Sequence, residues 1–208
     1  MKNVQVVDHP VVHRYLTVLR DKNTNTAAFR RAMATIGNIL AYHALSDLPL
    51  QEYEVETPIQ ATKGYKPATD VIVVPILRAG LSLVDGIINF IPEAKVGHVG
   101  VYRDEVTLEP VNYYDNLPNG IDTGYTLVVD PMLATGGSAS HAIKYLKEAG
   151  ATNIRFVCLI SAPEGIKRLQ YDHPDVPIIT AAIDEKLNEQ AFIVPGLGDA
   201  GDRYFGTQ

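Results

Sequence analysis

The chain has no excess of basic residues, no apolar stretch long enough to cross a bilayer and only one cysteine. Its 18 Lys and Arg against 24 Asp and Glu leave a formal net charge of −6. It therefore lacks the positive field with which binders of a phosphate backbone gain affinity, and nucleic acid is not an expected partner. Nowhere do eighteen consecutive apolar residues occur, and Met1–Asp8 holds neither an apolar signal core nor a small-residue cleavage site, so a cytoplasmic protein with no membrane partner is expected. The lone Cys158 cannot form an internal disulfide. It sits in the apolar run Phe156-Val157-Cys158-Leu159-Ile160, where a buried structural thiol is the ordinary reading and a nucleophile the rarer one. No internal repeat is present.

What is there is close to average globular usage, with 46% hydrophobic and 20% charged residues over 208 positions. That length supports one domain, residues 1–208, with a sizeable core. Val11, Val12, Tyr15, Leu16 and Leu19 recur at helical spacing, as do Phe29, Met33, Ile36, Leu40 and Ala44 after a capping candidate at Thr26. Tyr53, Val55 and Thr57 alternate with charged residues as in a half-exposed strand, and the polar stretch Ala61–Pro67 reads as a surface loop.

From Val71 onward short β-branched runs, Val71–Leu77, Val96–Val101, Thr126–Val129, Ile154–Ile160 and Ile178–Ile183, alternate with helix-like segments at Leu81–Phe90, Ser138–Ala149 and Pro163–Tyr171. Runs apolar on both faces suit buried parallel strands, and the intervening lengths suit crossover helices. The predicted fold class is α/β: a mostly parallel five-stranded sheet over residues 70–184, flanked by helices. Residues 102–120 interrupt this alternation and read as a protruding hairpin or flap, weakly strand-like at Val106–Leu108 and Val111–Tyr114. Residues 190–208 hold the glycine-rich run Pro195-Gly196-Leu197-Gly198-Asp199-Ala200-Gly201-Asp202, a shaped loop.

In open α/β sheets ligands bind beyond the carboxyl ends of the strands. The unusual residues do follow strands: Arg78-Ala79-Gly80, Tyr102-Arg103-Asp104-Glu105, Asp130 through Ser138, and Ser161-Ala162-Pro163-Glu164-Gly165. In the third group an acidic residue at a strand end precedes two glycines flanked by Thr135 and Ser138 and then a helix. This pattern turns backbone N–H groups into one concavity at a helix N-terminus, fit for a phosphate, while Asp130 can accept hydrogen bonds from a vicinal diol. The plainer alternative is a Gly pair that closes a tight turn with Asp130 as a cap. A nucleoside-triphosphate loop is disfavoured by the missing Gly-Lys-Ser/Thr, and a dinucleotide fingerprint by the missing Gly-x-Gly-x-x-Gly.

The run Val129-Asp130-Pro131-Met132-Leu133-Ala134-Thr135-Gly136-Gly137-Ser138 resembles the donor loop of type I phosphoribosyltransferases, and of their uracil branch in particular. The likeness extends through Pro75–Leu81, Tyr102-Arg103, Leu108-Glu109-Pro110, Ala162–Gly165 and Pro195–Asp202. It implies transfer of 5-phosphoribosyl from phosphoribosyl diphosphate to N1 of uracil, giving UMP. Donor contacts are implied for Arg78, Arg103, Asp130, Pro131, Met132, Leu133, Ala134, Thr135, Gly136, Gly137, Ser138 and Asp199. Uracil contacts are implied for Ile193, Gly198, Asp199 and Ala200, with Arg78 and Asp199 in the catalytic roles. Most of the superfamily carries two adjacent acidic residues where this chain has Asp130-Pro131, so Mg²⁺ is expected to be held mainly by the donor's own oxygens, with no dedicated protein metal site. Some relatives form homo-oligomers and respond to GTP, and both are expectations here.

Several residues keep two readings. Asp199 is either a proton acceptor for N1 or a turn cap, the flap gates the site or meets another subunit, and His141 touches phosphate or is a solvated helix residue, while His98 reads as core or edge. Two competing functions remain: transfer to a purine or to orotate, and a metabolite-sensing regulator that binds RNA or DNA, which the acidic balance opposes.

Overall fold

The computed structural model describes residues 3–103 and 110–207, with only the backbone of Arg103 and Pro110 described. Strand β1 is Val4–Val6. Helices α1 (Pro10–Arg20) and α2 (Thr26–Ala44) follow, then strands β2 (Leu50–Glu56), β3 (Ala61–Pro67) and β4 (Val71–Leu77). Next come α3 (Leu81–Phe90), β5 (Lys95–Val96), β6 (His98–Arg103), β7 (Pro110–Asn116), β8 (Tyr125–Val129) and β9 (Met132–Leu133). Helix α4 (Gly137–Glu148), β10 (Asn153–Ser161), α5 (Pro163–Asp172), β11 (Ile178–Ile183), β12 (Lys186–Leu187), β13 (Ile193–Val194) and α6 (Ala200–Phe205) complete the chain.

The main sheet runs β1-β11-β10-β8-β4-β6-β7, with β5 on β4 and β9 on β10, nine strands in all. Every pairing is parallel except β6 with β7. The five expected strands form its unbroken centre. Of the others, β7 contains the weakly strand-like run Val111–Tyr114 and β5 holds the first residue of the expected run Val96–Val101, while β1 and β9, two or three residues long, escaped the sequence reading.

Uniformly apolar strands are what a doubly covered sheet requires, because alternate side chains enter different cores. Val71 and Val73 of β4, with Leu127 and Val129 of β8, pack under Phe29, Met33 and Leu40 of α2 and Leu83 and Ile87 of α3. Ile72, Val74 and Ile76, with Val128 and Phe156, face Ile143 and Leu146 of α4 and Ile166 and Leu169 of α5. Each such buried side chain contributes about 1.5–3 kcal/mol, and together they make the strand ends a rigid platform. Cys158 lies fully buried among this second set, and burial pushes its thiol up to about 12, so at neutral pH it stays protonated.

Two local expectations are corrected. Asn25, not Thr26, caps α2, its side-chain oxygen accepting from Ala28 N at 2.9 Å. Ala61–Pro67 is strand β3, paired antiparallel along its whole length with β2. Its polar residues show no alternation because the hairpin is solvated on both faces, so backbone pairing and the turn at Thr57, whose hydroxyl donates to Gln60 O at 2.8 Å, define it. In the expected flap, β6 and β7 form the arms. The strand-like run Val106–Leu108 and the motif residues Leu108 and Glu109 lie outside the described residues.

Candidate functional site

Because β4, β8 and β10 run parallel, their carboxyl ends deliver three loops to one edge of the sheet. The loop after β8 is tethered from its first residue. Asp130 N donates to Val157 O at 3.2 Å, and Pro131 O accepts from Leu159 N and Ile160 N at 3.0 and 3.1 Å. Pro131 and Leu133 are buried and do not line the cleft, their carbonyls accepting from β10 and from Ala162 N. The chain then turns at Gly136, whose φ of +80° is open to glycine without strain. A Cβ at Gly136 would stand 2.9 Å from Gly165 O, and one at Gly165 would stand 2.5 Å from Ala134 O. A glycine in the turn and one in the first turn of α5 thus let the two segments lie directly on each other.

Helix α4 begins at Gly137 with no side-chain cap from Gly136, so beyond the long bond of Gly137 N its first turn offers N–H groups that suit an anion. Thr135 and Ser138 are exposed at its mouth. Thr135 Oγ1 accepts from Gly137 N at 3.4 Å.

The glycine-rich segment near the C-terminus forms the facing wall. Strands β12 and β13 pair, the Val194–Pro195 peptide is cis, and Gly196 and Gly198 have φ of +63° and +79°. Asp199 caps α6, its Oδ1 accepting from Asp202 N at 2.8 Å. The turn-cap reading of Asp199 is thereby a structural fact, whatever else the carboxylate does.

Between these walls lies a cleft of about 260 Å³ lined by Asp130, Met132 and Ala134 on one side and Ile193, Gly198, Asp199 and Ala200 on the other, with Ala79 at its edge. Arg78, beside Ala79, is exposed, with Nη2 3.6 Å from Asp202 Oδ1 and its guanidinium 5.7 Å from the Phe205 ring centre. The Leu77–Arg78 peptide is cis. The side chain of Arg103 lies outside what is described, and His141 does not line the cleft.

The Asp130 carboxyl is pushed up to about 7 mainly by burial, opposed by the bond it accepts from Met132 N at 3.4 Å, with the negative charge of Asp199 adding a smaller upward push. It is consequently poised to change charge near neutrality.

Sequence reading missed the residues that hold the facing wall. Arg20 and Asp184 form a two-pronged pair at 2.8 and 2.6 Å that also grips Gly196, and Arg203 donates to the carbonyls of Leu19, Leu197 and Asp21. The available signal was position: Asp184 directly follows β11, as Asp130 follows β8.

Sheet topology, strand-end loops and an uncapped α4 facing a glycine-built wall define the class of type I phosphoribosyltransferases. The fold is shared with the adenine phosphoribosyl transferase of Trypanosoma brucei, at a TM-score of 0.62 and 12% identity over 96% of this chain and 89% of that one. The AQ2163 protein of Aquifex aeolicus superposes at a TM-score of 0.93, with 36% identity and 99% of both chains covered. Residues 6–207 match the model of the family described as uracil phosphoribosyltransferase. The uracil phosphoribosyltransferase of Salinibacter ruber is 54% identical over 208 residues, covering 100% of this chain and 99% of its own. The chain belongs to the uracil phosphoribosyltransferase family.

Proposed function

We propose that this chain transfers 5-phosphoribosyl from its 1-diphosphate to N1 of uracil, releasing UMP and diphosphate. The carrying observation is one cleft in which the loop after β8 and the glycine-built wall face each other, with Asp130 and Asp199 on opposite sides. The uncapped N-terminus of α4, with Thr135 and Ser138, receives the 5-phosphate, and Asp130 accepts from the ribose hydroxyls. Arg78, and Arg103 at the end of β6, meet the diphosphate. The wall from Ile193 to Ala200 reads the acceptor–donor–acceptor edge of uracil through its main chain, an arrangement that penalises a base with mismatched polar groups.

Among the described residues no three His, Cys, Asp or Glu side chains converge as a metal site. Mg²⁺, which commonly keeps several waters and binds substrate phosphates, would be held mainly by the donor's own diphosphate and hydroxyl oxygens. The ion would neutralise charge on the departing diphosphate. As C1 gains oxocarbenium character, Arg78 takes up part of the leaving charge while the wall holds N1 on the opposite face. Positioning and electrostatics supply most of the acceleration. Since Asp199 already caps α6, removal of the N1 proton is a second task for it at most.

The deciding assay incubates the protein with donor and Mg²⁺ and each of uracil, cytosine, orotate, hypoxanthine and adenine, with and without GTP, and follows nucleotide by chromatography. UMP from uracil alone is expected, and a rise with GTP would support the activation that the family resemblance implies. Nucleotide from a purine or from orotate would overturn the base assignment. No nucleotide from any base would favour a donor-binding sensor.

We also read the β2–β3 hairpin as a homo-oligomer contact. A lone two-stranded ribbon is marginal in water, yet this one carries exposed Leu50, Tyr53 and Tyr65 and leaves Ile59 89% exposed. A second copy of the chain would cover these side chains. Sedimentation of the protein at the mass of one chain would rule this out. Among the described residues no helix is long and apolar enough to cross a membrane.

A further inference from the structure

Recognition by main-chain groups works only if the peptides cannot turn over, because a flipped peptide presents C=O where N–H was needed. In the wall that faces the loop after β8, the two peptide groups flanking Gly196 are each held at one polar atom, Gly196 N and Gly196 O, by one ion pair. Arg20, at the C-terminal end of α1, donates through Nη1 to Gly196 O at 2.8 Å and to Asp184 Oδ2 at 2.8 Å, and through Nη2 to Asp184 Oδ1 at 2.6 Å. Gly196 N donates back to Asp184 Oδ2 at 2.9 Å. The Asp184 side chain is 4% exposed, so the pair operates where water competes little. Gly196 accepts this grip because a Cβ there would lie 2.1 Å from Ile193 O. The next residue is fastened too, by Arg203 Nη1 to Leu197 O at 2.7 Å, with the Arg203 guanidinium 4.5 Å from the Phe29 ring centre.

We propose that Arg20 and Asp184 are positioning residues for base recognition: by clamping Gly196 they fix the orientation of the peptides at Gly198–Ala200, and so set both the affinity for uracil and its preference over cytosine. This rests on the reading of the Ile193–Ala200 wall as the uracil site. Neither residue lines the cleft, so their influence passes through the backbone. Cytosine replaces the uracil donor–acceptor pair at N3 and C4 with acceptor and donor, so a wall free to turn over loses discrimination along with affinity.

The test compares Arg20→Lys, Arg20→Met, Asp184→Leu and the double variant Arg20→Met/Asp184→Leu with wild type, measuring kcat, KM for uracil and for the donor, competition by cytosine, and Tm. Each single variant should raise the uracil KM about tenfold and leave the donor KM within about twofold, as expected for loss of a charged hydrogen bond that serves one substrate. Arg20→Met and Asp184→Leu each leave one charge of the pair unpartnered and lose stability; the double variant removes both charges and recovers Tm. The uracil KM should stay raised in the double, and cytosine should compete better. Arg20→Lys keeps the charge but not the fork, and should raise the uracil KM even where the other singles fold poorly. A double variant with wild-type uracil KM, or uracil and donor KM rising together with the loss of Tm, overturns the proposal. Gly198→Val distinguishes the underlying reading. If it raises the uracil KM while the clamp variants do not, only the clamp is wrong; if it leaves the uracil KM unchanged, the wall is not the uracil site and the inference falls with it.

Discussion

Arg78→Ala is expected to lower kcat/KM for phosphoribosyl diphosphate by a factor of about 10²–10³, the usual cost of removing one preorganised partner of developing charge. Arg78 stands directly after β4, next to Ala79 at the edge of the cleft. Its side chain is 61% exposed and its ion pair with Asp202 spans 3.6 Å, an arrangement worth little to stability. The guanidinium is thus oriented without being committed to the protein, so its deletion should leave Tm nearly unchanged while the leaving diphosphate loses a permanent planar cation. Arg78→Lys should recover only part of the loss. Steady-state kinetics with each substrate varied in turn, together with a thermal melt, measures this. A kcat/KM within about threefold of wild type would remove Arg78 from the diphosphate site, because exposed substitutions without a role have effects of that size.

What the sequence made legible was local. Val71–Leu77, Leu81–Phe90 and Ile178–Ile183 have the bounds expected for them, because continuous apolar runs between turn residues leave few alternatives to buried strands and covering helices. The loop after β8 was legible because its distinctive residues, from Asp130 to Ser138, lie in one stretch. Ala61–Pro67 was not: nothing in a hairpin solvated on both faces obliges its side chains to alternate, and its order comes from backbone pairing with residues some ten positions earlier. The clamp on Gly196 was invisible for another reason. Arg20 meets Asp184 across 164 positions of sequence, and a lone Arg at a helix end or a lone Asp after a strand reads as surface charge until the fold brings them together. Asp199 shows the limit in the other direction. Its place in the cleft was expected, but its carboxylate is also a helix cap, so one residue carries a structural duty and a proposed chemical one.

The second large effect should come from Asp130, with a pH dependence of definite sign. Its carboxyl is pushed up to about 7, well above the value near 3.9 of an unfolded chain. A raised acid holds its proton more tightly in the folded state, so its favourable contribution is complete below about pH 4 and is lost as pH rises through the folded value near 7. Above that, the protein carries an ionised carboxylate in a half-buried cleft beside Asp199. Asp130→Asn, close in shape and neutral at every pH, should therefore match wild-type Tm near pH 4 and exceed it increasingly up to pH 8, where the relief is on the order of 1–2 kcal/mol after allowance for solvent at the cleft. Activity should move the opposite way. The ionised carboxylate is the form that accepts two ribose hydroxyls, so the wild-type donor KM should fall between pH 6 and 8. Asp130→Asn should show a flat profile with kcat/KM for the donor reduced about 10–100-fold at pH 8, as for a lost charged hydrogen bond. A variant more stable than wild type at pH 8 yet poorer with the donor would mean that the strain on Asp130 is kept for binding. One that is both less stable and equally active would mean that the carboxylate is a turn cap, the plainer reading of its place at the strand end.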